Sequence, residues 1–166
     1  AFTIKQSGNN LLLQDVSTGL YLNMYINNSG AALHSRTGDA SQWKIFRVED
    51  NESVTSVEEG VEYYLQTQMN AKVGQYAYQT ASGTIQVSAT TSEASVFTFI
   101  SDGQGAWYLH NVSANTEVAQ GAQGTLLKME RTTAQATLQL AAESFTAAAT
   151  ADGMTLQGSD GSYLVY

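Results

Sequence analysis

Cysteine does not occur in these 166 residues, which removes disulfide frameworks, thiolate metal sites and thiol nucleophiles together. Basic residues are also few: 7 lysines and arginines, scattered singly, stand against 15 acidic residues, for a formal charge of −8. No basic stripe is available to neutralise phosphates, so nucleic acid, heparin and anionic membrane surfaces are not expected partners. No apolar run approaches the roughly 18 residues that a membrane helix requires, and membrane insertion is not expected either. The opening AFTIKQSG has neither the basic start nor the apolar stretch of a signal peptide, and reads as a mature protein or an excised piece.

Catalytic patterns are equally sparse. His34 and His110 are the only imidazoles, and neither sits in a His-any-Glu or paired-His spacing suited to zinc, so no metal is expected. There is no Gly-any-Ser-any-Gly elbow for a nucleophilic serine. The paired carboxylates Glu49-Asp50 and Glu58-Glu59 read as solvated loop or strand residues, since adjacent strand residues point to opposite faces. No glycine-rich phosphate loop opens a helix, which leaves no expected cofactor and no expected catalytic residue.

What the chain does contain is repetition. Apolar residues make up 43% of it and charged residues 13%, a globular composition in a length that suits one domain. Four segments align: LLLQDVSTGLYLN from Leu11, YYLQTQMNAKVGQ from Tyr63, WYLHNVSANTEVA from Trp107 and MTLQGSDGSYLVY from Met154. Each has Leu at its third position, and three follow it with Gln (Gln14, Gln66, Gln157). A short strand precedes every copy: FTI from Phe2, WKIF from Trp43, FTF from Phe97 and FT from Phe145. Alternating apolar residues, β-branched and aromatic side chains, and recurrent Gly and Asn turns make this hairpin grammar. The alanine-rich stretch Ala134–Ala149 is read as strand by alignment with the other copies.

Three units of about 45 residues, each of four short strands, resemble the β-trefoil and within it the ricin-type lectins. Gln42-Trp43 stands where that family has its Gln-any-Trp signature, and Phe97 and Leu138 take the Trp position in later repeats. The resemblance implies an all-β domain over residues 1–166, with repeats at 2–48, 49–100 and 101–147 and a closing hairpin at 148–166. The fourth copy implies either that first and last copies meet to close the barrel, the preferred reading, or that the sequence cuts into a longer array. A β-sandwich is the alternative fold.

The same resemblance implies a non-catalytic, lectin-like module of a secreted or cell-surface protein, with a glycan or glycoprotein as partner. Its pocket roles fall in the first repeat on Asn23, on His34, and on Asp39, Ser41 or Gln42. In the second they fall on Gln75 with Tyr76 and Tyr78, and in the third on Gln120 with Lys128 nearby. Trp43, Phe97 and Leu138 are expected in the core, and Tyr21, Tyr64, Tyr108 and Tyr163 along the barrel or its rim. Trp107, Tyr76 and Tyr78 are aromatics that the repeat does not require. An inhibitor, interaction or spacer domain accessory to a larger enzyme is the other functional reading.

Overall fold

Six strands alternate large apolar residues inward with a mostly polar or aromatic outward set, and they close on one another. They are β1 (Phe2–Ser7) and β2 (Asn10–Asp15), β5 (Trp43–Arg47) and β7 (Glu62–Thr67), and β10 (Phe97–Ser101) and β11 (Trp107–Asn111). Each pair is an antiparallel hairpin, and the hairpins join through Leu11↔Trp43, Phe97↔Tyr63 and Phe2↔Trp107. This computed structural model describes residues 1–25, 30–119, 121–131, 146–150 and 153–157.

A second hairpin follows each barrel hairpin. These are β3 (Tyr21–Tyr25) with β4 (Gly30–His34), β8 (Tyr76–Gln79) with β9 (Ile85–Ser88), and β12 (Thr116–Val118) with β13 (Met129–Glu130). They interlock: Leu127 N–H donates to Ala31 O (2.9 Å) and Met129 N–H to Gly83 O (2.7 Å). At this junction a Cβ on Gly30 would come within 2.9 Å of the Ile85 carbonyl oxygen, which explains why the side chain is absent there. Three barrel hairpins and three capping hairpins in threefold succession make a β-trefoil. The small strand β6 (Ser53–Val54) adds to β5 within the β5–β7 connection.

Inward positions build one core. Leu11, Leu13, Trp43, Ile45, Tyr63, Leu65, Phe97, Phe99 and Leu109 fill the barrel, with Leu22, Leu33, Ile85 and Leu127 beneath the cap. Trp43 and Phe97 are fully buried, as the repeat implied, and the Trp43 indole N–H donates to Leu22 O (3.0 Å). The tyrosines differ from expectation. Tyr63 enters the barrel beside Leu65, so alternation turns Tyr64 outward, and Leu109 turns Tyr108 outward in the same way.

The end of each second barrel strand carries a buried polar residue that shapes the turn after it. Asp15 Oδ2 accepts from Thr18 N–H (3.0 Å), Thr18 Oγ1 (2.7 Å) and Ser17 Oγ (2.9 Å). Asn111 Oδ1 accepts from Ala114 N–H (3.3 Å) and Ser113 Oγ (3.2 Å), and Thr67 Oγ1 from Met69 N–H (3.2 Å). The turns starting at Asp15 and Asn111 end in left-handed backbone, at Gly19 (φ 71°) and Asn115 (φ 52°), residue types that tolerate it.

The barrel closes between the first copy and the third, through Phe2↔Trp107, where the sequence had suggested the first and last. The chain divides into two compact units, Ala1–Arg131 and Thr132–Tyr166. The second holds the hairpin β14 (Thr146–Thr150) and β15 (Gly153–Gln157). Its pairing Thr146↔Gln157 and Ala147↔Leu156 repeats Thr3↔Gln14 and Ile4↔Leu13 of the first unit. Leu138, Gln120, Tyr163 and most of Ala134–Ala149 lie outside the described residues.

Candidate functional site

The outward faces of the three barrel hairpins can be compared position by position. The first presents Thr3, Lys5, Leu12 and Gln14, the third Thr98, Ile100, Tyr108 and His110. The second presents Lys44 opposite Gln66 and Phe46 opposite Tyr64. Tyr76 at the start of β8 pairs with Gln66 and brings a third ring. Its centroid lies 6.3 Å from Phe46, tilted by 58°, and 6.0 Å from Tyr64, edge-on at 74°. These are favourable aromatic separations, and all three rings are half-buried.

Amides border this platform. Gln68 Nε2 donates to Gln66 Oε1 (3.2 Å) and to Thr67 O (3.1 Å), while its backbone N–H donates to Gln42 O (2.9 Å). Asn70 N–H donates to Asp39 Oδ2 (2.9 Å). The 3-10 turn Asp39–Ser41 is thereby fastened to the end of β7, and the Gln42 backbone meets Gln68 at the end of the strip that contains Gln66 and Tyr76. The Gln42 side chain is itself oriented, accepting from Asn10 Nδ2 (2.7 Å) and donating to Thr37 O (3.3 Å).

Asn23 and Ser41 do not reach the surface. They are 3% and 0% exposed, and Asn23 Nδ2 donates to Ser41 Oγ (2.7 Å), which donates to Arg36 O (2.6 Å). A buried pair of this kind holds the loop before β5 and cannot meet a ligand without breaking both bonds. His34 pairs with Tyr21 across β3 and β4, and its Nδ1 accepts from Arg36 N–H (3.3 Å). Gln75 supplies its carbonyl to Thr67 N–H (2.9 Å) just before Tyr76, and Tyr78, opposite Gln86, follows two residues along the same strand.

The structure therefore ties Asp39 and Gln42, through the backbone of Asn70 and Gln68, to the end of β7, where Gln66 pairs with Tyr76, a residue that the repeat had placed in a separate pocket. It adds Phe46, Tyr64, Gln66 and Gln68. The signal for these was the inward Leu65, since alternation then requires Tyr64 and Gln66 to face out.

Ionisable groups with shifted behaviour lie elsewhere. Burial would raise the Asp15 carboxyl, but hydrogen bonds from Thr18 and Ser17 outweigh it and hold the group below the usual carboxylate range. Burial lowers His110, partly offset by a backbone hydrogen bond at Thr116. Backbone N–H groups lower the exposed Asp50 and the half-buried Asp102. Among the described residues no three His, Asp or Glu side chains converge as metal ligands would.

No protein-family model and no curated protein sequence matches the chain. Among solved structures it is similar to a designed three-fold symmetric protein, ThreeFoil, with a TM-score of 0.58 and 13% sequence identity. The match covers 75% of this chain and 91% of that one. At that identity the likeness concerns backbone architecture alone, and it agrees with the hairpin topology: the chain carries a β-trefoil.

Proposed function

We propose that the unit Ala1–Arg131 is a non-catalytic, lectin-like module that binds carbohydrate on the Phe46–Tyr64–Tyr76 platform. The observation that carries this reading is the cluster of Phe46 and Tyr64, on the second barrel hairpin, with Tyr76 at the start of β8, bordered by Gln66. An aromatic face stacks on the apolar side of a sugar ring, and planar amides and a carboxylate exchange hydrogen bonds with vicinal hydroxyls. Lys44, opposite Gln66, adds a donor at the edge. The ricin-type likeness of the repeats, an acidic amide-rich sequence and a partner that is a glycan or glycoprotein fit a secreted or cell-surface setting.

A glycan array followed by isothermal titration tests the reading. Binding is expected to a neutral glycan, and Tyr64→Ala with Tyr76→Ala weakens it by about tenfold or more. Absence of binding to every glycan, with circular dichroism showing the trefoil intact, refutes it. In that case the accessory protein-interaction or spacer role takes its place, favoured by the engagement of Asn23 and Ser41 within the fold.

A further inference from the structure

The strip leaves Trp107 unexplained. This side chain lies in a groove of about 830 Å³ that runs along β1, beside the seam where the barrel closes. That volume falls in the range of small-ligand sites. Ile4, Val57 and Trp107, all half-buried, provide apolar surface. Around them stand the Lys5 ammonium, the Thr55 and Ser56 hydroxyls and the Trp107 indole N–H. None of these donors has a hydrogen-bond or ion-pair partner among the described residues.

The acceptors in the groove are largely engaged or few. Asp15 Oδ2 is occupied by Ser17 and Thr18 and its Oδ1 lies 3.8 Å from the Ala1 ammonium, and Gln14 Nε2 donates to Gly19 O (2.7 Å), leaving Gln14 Oε1 without a partner among the described residues. Donors in excess around an apolar wall select a ligand with acceptors and an apolar face. We infer that this groove is a second ligand site, separate from the amide strip, for a single sugar ring bearing one carboxylate. The ring's apolar face lies on Trp107 and its carboxylate meets Lys5. One lysine answers one carboxylate and not a polyanion. Lys5 is the one cationic side chain that lines the groove among the described residues, so the carboxylate belongs on the β1 side.

Tryptophan emission tests this directly, because the chain has 2 tryptophans and Trp43 is 0% exposed. Methyl β-D-glucuronide, titrated into the whole chain, is expected to produce a saturable change that methyl β-D-glucoside matches only at about fivefold higher concentration. Lys5→Gln, at an exposed position, should weaken the glucuronide response by a similar factor, and Tyr76→Ala should leave it unchanged. Calorimetry on Trp107→Phe, which keeps an aromatic against the barrel seam, should show weaker binding. No saturable change, equal responses to the two sugars, or loss of the response in Tyr76→Ala would each overturn the assignment. The last outcome would locate binding on the amide strip, which the glycan-array experiment tests independently.

Discussion

The loop before β5 and the outward face of the second barrel hairpin put polar residues to opposite uses. Before the strand of Trp43, the first repeat turns Asn23 and Ser41 inward onto each other and closes the loop from within. Across the second barrel hairpin and the start of β8, Phe46, Tyr64 and Tyr76 face outward and the amides of Gln66 and Gln68 lie beside them. A polar residue at a repeat position therefore says little about recognition until its side of the strand is known. Inward it organises the fold, and outward it is free to meet a partner.

Substitutions can break or sharpen that contrast. Trp43→Ala, in the shared core, is expected to cost about 4 kcal/mol in urea unfolding, with Phe97→Ala close behind; unequal losses would show that the repeats do not share one core layer. Asn23→Ala removes a buried hydrogen bond and should cost about 1–3 kcal/mol while leaving glycan affinity within about twofold. Loss of binding without loss of stability in that variant would return Asn23 to the site. Tyr76→Ala should do the reverse, lowering affinity about tenfold by titration with less than about 1 kcal/mol of stability, as befits a half-buried ring.

The smallest effect concerns acid. Hydrogen bonds hold the folded Asp15 below its ordinary pKa despite burial, so its contribution is present above about pH 4 and is lost as pH falls through the lower folded value. Asp15→Asn should flatten this part of a thermal-stability profile, as the equivalent Asn111 has no such titration. His110, lowered mainly by burial, adds an earlier loss that begins as pH falls below about 6.5.

Much of this was legible in the sequence for a local reason. Hairpins are made by neighbours in the chain, so the alternation in FTI, WKIF and FTF and the Leu of each copy located the barrel strands. The outward set followed less easily, because Tyr63-Tyr64 offers two aromatics side by side and only the register with Ile45↔Leu65 decides which one enters. The fate of Asn23 and Ser41 depends on a contact across 18 residues, and barrel closure depends on Phe2 meeting Trp107; neither leaves a local trace. The fourth copy reads like the other three, so the pattern alone could not show that Phe2 pairs with Trp107 of the third.

That last contact has a consequence for how the chain is made. During synthesis β1 finds β2 at once, but its other edge stays open until Trp107 has left the ribosome. Closing a loop of this length is slow compared with forming any single hairpin, which points to late barrel closure. For most of translation the nascent trefoil thus carries an exposed strand edge able to pair with another chain. Crowded polysomes are where this protein would be most vulnerable to misassembly.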